Sequence, residues 1–500
     1  MNKALKILFF LLLFASFFLA SWRVLNKDIE FTSEIARDFF LLNEVYQKKF
    51  VLIGPSSTTG LFHGPLWAYL NFPAFFVGNG NPIVVGWFWV FLSILFVFTN
   101  FFIAKKLFDT KTGYLFALMT AIYMIFHAKN FYNPHGAMLL LPSFFFFFIR
   151  YLQSRNIKFL IIHLLIAGAI IQFQMAIGIP FFILSFLYLL YTSLKSSHKI
   201  HLLSYLLIFI TLSNFFIFDL RHDFLLSKLT LRFLTSAGRD NPDILSMFWQ
   251  RFQLMTGGIE FLRRDPGSLN LLIFAVSSIF FFLQLKNNKF KNIYITFLYF
   301  YIGYFLLSNL NSGGLLYFYL FPIFPLVFLI FSSFITSSLS KVFMILFTTI
   351  LLLNLQNALN DTIYDRQNII GKSENSWIFL NTVASEIFKD KEKEFGYFVY
   401  SPDVVAYRGK YAMFYEQKKQ KKRTYYFKKK PITYLIIAPP PIDNPYMKDE
   451  WWRINQIKIK GNSIKTIRYS NGYKIEKYSL SEDEIKIPFD PAIDPGIVFR

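Results

Sequence analysis

Long apolar segments alternate with short polar loops along most of the chain. A window of about 17 to 25 mostly apolar residues is long enough to cross the hydrocarbon core of a bilayer as a helix. Such windows predict about eleven membrane-spanning helices, at 4–22, 82–104, 113–128, 136–151, 159–174, 177–194, 202–218, 269–285, 292–308, 314–334 and 341–355. We therefore predict an α-helical integral membrane protein.

The composition agrees with this class of protein. Hydrophobic residues make up 54% of the 500 residues, and 66 residues are Phe. A soluble core has no room for so much apolar surface, whereas lipid accommodates it. The sequence contains no Cys, which excludes disulfides, iron–sulfur clusters and Cys-based zinc sites.

Basic residues occupy every second loop between the predicted spans. They are Lys3 and Lys6; Lys105, Lys106 and Lys111; Arg150, Arg155 and Lys158; Lys195 and Lys199; Lys286, Lys289 and Lys291; and Lys341. Because short loops rich in Lys and Arg stay in the cytoplasm, we place residues 23–81, 219–268 and those after about 356 outside it. The predicted domains are a multi-span membrane domain, 1–355, and an extracytoplasmic domain, 356–500.

The formal net charge of +22 raises the question of a nucleic-acid partner. Roughly half of the Lys and Arg residues follow residue 355, and no motif that reads RNA or DNA accompanies them. We predict a bilayer and no nucleic acid as partner. The spans carry almost no ionisable groups apart from His127, Lys129 and His163 at or near span ends, which argues against an ion-coupled transporter.

The first external loop gathers four acids within eleven residues: Asp28, Glu30, Glu34 and Asp38. The apolar residues Phe31, Ile35, Phe39 and Leu42 recur at intervals of three and four, which predicts an amphipathic helix over 31–47. Glu34 and Asp38 are four residues apart and so share one helical face. One interpretation is that these acids solvate the helix and pair with nearby Lys and Arg; the other is that they act on a substrate.

Several short motifs follow one another in a characteristic order. They are Asp28, Glu34-Ile35-Ala36-Arg37-Asp38, Gly54-Pro55, His63-Gly64-Pro65-Leu66, Asn133-Pro134-His135, Phe218 to His222, and Tyr317 to Pro322. As an ordered set over about residues 1–340, they resemble the GT-C superfamily of polyprenyl-phosphate-dependent glycosyltransferases. The nearest branch contains the aminoarabinose transferases, the protein O-mannosyltransferases and the RgtA/B/C/D-like enzymes. The family's Asp-Glu pair is split here as Asp28-Ile29-Glu30, which leaves the identity of the catalytic acid open.

The resemblance implies a glycosyltransferase of the bacterial inner membrane. It would move a sugar from polyprenyl phosphate to an extracytoplasmic lipid, glycan or protein, with inversion at the anomeric carbon. The acceptor hydroxyl needs a base, and one carboxylate can serve; the resemblance ranks Asp28 first, then Asp38, then Glu34.

The leaving phosphate needs cations or hydrogen-bond donors. We predict substrate-binding roles for Glu30, Arg37, His63, Arg221, His222, Arg263 and Arg264. The 219–268 loop is expected to fold over the first loop and bring its Arg residues near the acids. We predict no cofactor and no metal site, with a divalent ion as the open alternative.

The C-terminal region has shorter apolar runs and more charge. KEFGYFVYSPDVVAY and ITYLIIAPPP predict buried strands, SWIFLNTVASEIFKD a helix, and NSIKTIRYSNGYKIEKYSL a hairpin around Asn471-Gly472. We therefore predict a small α/β domain. We expect solvated basic runs at 418–423 and 428–430 and a weakly ordered tail from Ser481 onward.

Two other functions compete with the transferase. One is a transporter or flippase of lipid-linked saccharides, for which matching halves with broken helices would be expected. The other is a non-catalytic scaffold of the cell envelope, which has no need for acids, Arg and His in external loops. The sequence favours the transferase.

Overall fold

The computed structural model describes residues 3–47, 49–56, 61–194, 199–236, 243–265, 267–286, 289–310, 317–403, 405–420, 422–441 and 448–493. Lys195, Lys421 and the end of the tail, 494–500, lie outside these ranges. The chain forms two compact units. The first comprises Met1–Ser21, Phe50–Leu70 and Phe88–Asp361, and the second Trp22–Lys49, Asn71–Trp87 and Thr362–Arg500. The predicted domain boundary near residue 355 stays a prediction, and the units differ from it in grouping two N-terminal segments with the C-terminal region.

Helices make up almost all of the chain before residue 365. They are α1 Lys3–Ala20, α2 Trp22–Leu25, α3 Ser33–Tyr46, α4 Leu66–Val77, α5 Pro82–Leu107, α6 Thr110–His127, α7 Asn133–Ser154, α8 Ile157–Phe173, α9 Met175–Leu194, α10 Leu207–Thr211, α11 Ser213–Arg221, α12 Leu225–Ser236, α13 Ile244–Thr256, α14 Ser268–Leu285, α15 Lys291–Ser308, α16 Phe324–Ser333 and α17 Ser340–Tyr364. Short 3₁₀ segments precede α10 at Lys199–Leu206 and flank α16 at Tyr317–Tyr319, Phe321–Ile323 and Phe334–Thr336.

Seven helical segments of the described chain are long and apolar enough to cross a membrane. They are Lys3–Ala20, Pro82–Leu107, Asn133–Ser154, Met175–Ser193, Ser268–Leu285, Tyr317–Thr336 and Ser340–Ile369. The pair Lys199–Thr211 and Ser213–Arg221, bent by 49°, brings the number to eight if it counts as one span. The predicted class of protein is confirmed. The sequence-based count of eleven is higher because it also includes α6, α8 and α15, of which α8 has 17 residues and α6 and α15 begin with polar residues and a Lys.

The membrane helices of the first unit pack through small residues and aromatic rings. A left-handed Arg155 (φ 54°) ends α7, and the Asn156 side chain accepts the backbone N–H of Lys158 at 3.0 Å to start α8. At Gly178 in α9, an added Cβ would lie 2.6 Å from the backbone nitrogen of Ile171, so only glycine permits this approach of α8 and α9. All ten residues of α16 are buried, which places this helix in the core of the unit.

The second unit contains a five-stranded sheet with the order β2-β1-β3-β5-β4. The strands are β1 Glu394–Tyr400, β2 Arg423–Tyr426, β3 Ile432–Ile437, β4 Lys465–Arg468 and β5 Lys474–Ser479. β1 pairs in parallel with β2 and β3, whereas β5 is antiparallel to β3 and β4. The helices of this region are α18 Trp377–Phe388, α19 Tyr407–Gln420, α20 Asp449–Trp451 and α21 Glu482–Lys486. The predicted strand in ITYLIIAPPP, the helix and the hairpin around Gly472 (φ 86°) are confirmed. The strand predicted in KEFGYFVYSPDVVAY is confirmed only from Glu394 to Tyr400, and α19 begins at Tyr407.

The predicted amphipathic helix is α3, which belongs to the second unit. Thr32 caps it by accepting the backbone N–H of Ile35. Its apolar face is buried, and the rings of Phe39 and Phe40 both lie 5.3 Å from the ring of Tyr411 on α19. The hydrophobic spacing in the sequence reflects packing within the second unit.

The tail from Ser481 to Ile493 is ordered, so the expectation of weak order is wrong there. Ser481 and Glu484 form a capping box that starts α21. The ring of Phe489 packs 5.4 Å from the ring of Phe398, and the Lys429 ammonium donates to the carbonyl of Ile487 at 3.0 Å. Phe398 and Lys429 lie far from the tail in the sequence, so the sequence of the tail by itself does not indicate that it is ordered.

Candidate functional site

Asp28 is fully buried and holds the start of α18. Its Oδ1 accepts the backbone N–H of Ile378 at 3.1 Å, in the first turn of a helix whose cap is Ser376. Burial raises the pKa of the Asp28 carboxyl, and the contacts with Ile378, Ser376 and Arg23 oppose this shift only in part. The residue ranked first as base thus has a structural task.

Glu30 lies beside a buried ion pair that the sequence analysis missed. The Arg23 guanidinium donates through Nε and Nη2 to the two carboxylate oxygens of Asp365, at 2.8 and 2.9 Å. The distance from Arg23 Nη1 to Glu30 Oε2 is 3.6 Å. Glu30 therefore lies next to a cation that is already held by a bidentate partner, and its predicted substrate-binding role stays a prediction.

Asp38 and Arg37 form an ion pair on α3. Asp38 is 1% exposed, and its Oδ1 accepts the Arg37 Nε–H at 3.0 Å. Burial raises the pKa of the Asp38 carboxyl to about 6, although the Arg37 charge opposes the shift. Glu34, one turn earlier, is exposed, and its charge adds to the rise. A carboxyl with a pKa near neutrality is suited to take and release a proton.

In the first unit, the segment from Phe261 to Arg263 is held by amide side chains. Asn270 accepts from the backbone N–H of Leu262 at 2.8 Å and donates to its carbonyl at 3.0 Å. Asn354 of α17 donates to the Phe261 carbonyl at 2.7 Å and accepts the Arg263 N–H at 2.9 Å. Since its backbone groups are paired, this segment presents the Arg263 side chain from a fixed position.

Arg263 belongs to a polar cluster that we name the Arg263 cluster: Arg263, Glu260, His127 and Tyr317. Arg263 forms an ion pair with Glu260, and its Nη1 lies 3.5 Å from the Tyr317 hydroxyl. Glu260 Oε2 lies 3.7 Å from His127 Nε2. Burial alone would raise the pKa of the Glu260 carboxyl, but the contacts with His127 and Arg263 lower it below its usual value. The cluster therefore contains a charged carboxylate and a partly exposed guanidinium.

Glu260 is not among the residues predicted from the sequence, and His127 was predicted only to lie near a span end. A signal was present, because Glu260 precedes Arg263 by three residues in GIEFLRR. The remaining link, from Glu260 to His127 on α6, connects residues more than a hundred positions apart and has no local pattern.

The other predicted cations have different surroundings. Arg264 is half-exposed and pairs with Asp361 at the end of α17. Arg221 is exposed in the last turn of α11. The His222 ring stacks on Phe218 with centroids 4.0 Å apart, and Nδ1 lies 2.8 Å from the Phe218 carbonyl. The backbone of His63 pairs with Gly54 and Pro55, which fixes a turn.

Two parts of the predicted site stay untested. The approach of the 219–268 loop to the acids of the first loop remains a prediction. Among the described residues, no group of three or more His, Asp or Glu side chains has an arrangement that could hold a metal ion.

The architecture is the fold of ArnT, the GT-C fold. The structure of ArnT from Cupriavidus metallidurans bound to undecaprenyl phosphate is similar to this chain with a TM-score of 0.60 and 9% sequence identity, over 96% of this chain and 99% of that one. The same protein in the apo state gives a TM-score of 0.58 and 9% identity, over 95% and 98% of the two chains. An oligosaccharyltransferase from Archaeoglobus fulgidus gives a TM-score of 0.42 with 13% identity, over 83% of this chain and 61% of that one.

The two ArnT structures confirm, at the level of the fold, the resemblance found in the sequence. No family model matches the sequence, and no curated protein matches it either.

Proposed function

We propose that this chain is a membrane glycosyltransferase that uses a polyprenyl-phosphate sugar as donor. The observation that carries the proposal is the ArnT fold over nearly the whole length of both chains, ArnT being a protein whose structure holds undecaprenyl phosphate. A fold alone does not define a function. Buried carboxylates and a fixed arginine of the kind that glycosyl transfer requires add to the support.

In the proposed reaction, the acceptor oxygen attacks the anomeric carbon of the sugar. The bond from that carbon to the phosphate oxygen breaks, and its electron pair stays on the phosphate. The acceptor proton passes to a carboxylate, which supports inversion in a single displacement. Arg263 is the proposed partner of the phosphate, because a guanidinium donates two N–H groups to such an anion.

Asp38 is the proposed general base, ahead of Asp28 and Glu34. Its pKa of about 6 lets it accept a proton at neutral pH and release it again. Asp28 uses one oxygen to hold α18, and Glu34 is exposed and solvated. This order departs from the one that the family resemblance implies.

We propose that the reaction takes place outside the cytoplasm, where the basic loops put the first loop and the C-terminal domain. The bacterial inner membrane is the proposed location, and the acceptor is a lipid, a glycan or a protein. The competing function is movement of a lipid-linked saccharide across the membrane without transfer.

The test uses the purified full-length protein in detergent with a panel of polyprenyl-phosphate donors that carry labelled sugars. Transfer of label to a lipid, glycan or protein acceptor supports the proposal. The protein is also reconstituted in vesicles that contain the same donors. Movement of donor between the leaflets with no transfer to any acceptor contradicts the proposal and favours the flippase.

A further inference from the structure

Glu260 places a negative charge directly beside Arg263, the arginine that we propose binds the phosphate. Glu260 and Arg263 are three residues apart and in direct contact. The side chain of Glu260 is 17% exposed and that of Arg263 is 33% exposed. The acid is therefore the more buried partner of the pair and also lies near His127, while a third of the Arg263 side chain remains exposed.

The charge of the phosphate changes during the proposed reaction. In the donor, the phosphate is esterified to both the polyprenol and the sugar and carries one negative charge. The product, polyprenyl phosphate, is a monoester whose second ionisation lies near pH 6, so it carries between about 1.5 and 2 negative charges at pH 7. An isolated arginine attracts the product more strongly than the donor. A cation without a counter-charge would thus slow product release.

We propose that Glu260 is the counter-charge of Arg263 and lowers the affinity of the site for the product phosphate. This inference rests on the proposed function, in which Arg263 binds the phosphate. Glu260 also acts as a positioning residue, because its carboxylate is the partner that orients the inner edge of the guanidinium. The backbone of Arg263 has separate anchors in Asn354 and Asn357, which donate or accept at 2.9 and 2.7 Å. Changes at residue 260 therefore leave the segment in place.

The two tasks of Glu260 predict effects of opposite sign. Glu260→Gln keeps the shape and an acceptor oxygen but removes the charge, so polyprenyl phosphate should bind more tightly. Glu260→Ala removes the orienting partner as well, so the guanidinium loses its position and both donor and product should bind more weakly. Glu260→Asp keeps the charge and should restore behaviour close to that of the wild type.

The experiment measures inhibition by polyprenyl phosphate, the donor KM and the single-turnover rate on full-length protein in detergent. For Glu260→Gln we expect an inhibition constant lowered roughly fivefold, as for a partly exposed charge pair. Its steady-state turnover should fall more than its single-turnover rate, because release of the product becomes slow. The matched control is Glu386→Gln on α18, which removes the acid of another i,i+3 ion pair, with Lys389 just after the helix.

A double variant checks that the effect passes through Arg263. In an Arg263→Gln background, Glu260→Gln should no longer tighten product binding. The counter-charge is refuted if the wild type transfers sugar normally while Glu260→Gln binds polyprenyl phosphate as the wild type does, or more weakly. A wild-type protein that neither transfers sugar nor binds polyprenyl phosphate overturns the proposed function, and this inference with it.

Discussion

Asp28 Oδ1 lies 3.1 Å from the backbone nitrogen of Ile378, a contact that spans 350 residues of sequence. It gives the first turn of α18 an acceptor in addition to the Ser376 hydroxyl, which accepts the backbone N–H of Phe379 at 3.3 Å. Acceptors at this position satisfy N–H groups that have no partner within the helix. Loss of Asp28 therefore affects folding as well as any chemistry, and an activity assay alone cannot separate the two.

We expect Asp28→Ala to destabilise the protein by about 1–3 kcal/mol, because a buried N–H of α18 loses its acceptor. Asp28→Asn keeps an acceptor oxygen and should lose clearly less stability than Asp28→Ala. Thermal unfolding of the purified protein in detergent measures both variants. Glu34→Ala, a change of a neighbouring exposed acid, is the control and should leave the midpoint unchanged. Equal losses for the Asn and Ala variants would contradict the capping role.

The pH dependence of transfer tests Asp38 as the base. With a carboxyl pKa of about 6, kcat/KM should rise as the pH increases through 6 and level off above it, since only the deprotonated form accepts a proton. Arg37→Gln removes a charge that lowers this pKa, so the profile should move to higher pH. Asp38→Asn should reduce transfer by roughly 10²–10⁴-fold. If Asp28→Asn has that effect while Asp38→Asn changes transfer less than a few-fold, Asp28 is the base instead.

The same carboxyl should reduce the stability of the fold at neutral pH. Its pKa is about 6 in the folded protein and 3.8 for the unfolded reference, so the native state holds the proton more tightly. Between pH 4 and 6 the native state therefore binds more protons than the unfolded state, and stability falls as the pH rises through this window. Asp38→Asn should be more stable than the wild type by roughly 3 kcal/mol at pH 7.5 and similar to it at pH 4. A destabilised Asn variant at pH 7.5 would contradict this sign.

The elements that follow from local patterns were predictable from the sequence. Apolar windows predict the helices of the first unit because lipid-facing helices need about 20 apolar residues regardless of their neighbours. The spacing of Ile35 and Phe39 predicts α3, and Asn471-Gly472 predicts the hairpin, because both signals lie within a few residues. The acids and cations of the predicted external loops were likewise identifiable by residue type.

The pairing of these groups could not be predicted. Arg23 meets Asp365 across 342 residues, and no local pattern indicates which of many acids is its partner. The burial of Asp28 and Asp38 depends on the fold of the second unit, and with it their pKa values. The order of the tail could not be predicted for the same reason, because Lys429, which donates to the carbonyl of Ile487, precedes that residue by more than fifty positions.

The orientation in the membrane can be tested by cysteine labelling, because the sequence has no Cys. Asp28 and Asp38 are buried and would react poorly, so Glu34→Cys is the position of choice for the outside. Lys106→Cys and Lys158→Cys, both exposed in basic loops, report on the cytoplasmic side. We expect a membrane-impermeant maleimide to label residue 34 in intact cells and the other two only after permeabilisation. The reverse pattern would refute the predicted orientation and the extracytoplasmic reaction.

Arg263 and Arg264 are adjacent in the sequence but should differ in their effect on donor binding. The backbone of Arg263 is held by two asparagines of α17, and its guanidinium lies between Glu260 and Tyr317. Arg264 is 51% exposed and paired with Asp361, so solvent screens its charge. Only Arg263 therefore has the fixed geometry with which a guanidinium stabilises a developing phosphate charge.

We therefore expect Arg263→Gln to lower kcat/KM by roughly 10²–10³-fold and Arg264→Gln to change it by less than about threefold, since exposed charge pairs contribute little. Arg263→Lys should recover only part of the loss, because an ammonium lacks the planar pair of donors. Polyprenyl-phosphate binding, measured directly with each variant, separates loss of binding from loss of fold, and unfolding midpoints near the wild-type value complete the control. Equal losses for the two glutamine variants would mean that the phosphate responds to net charge in this segment rather than to the position of Arg263.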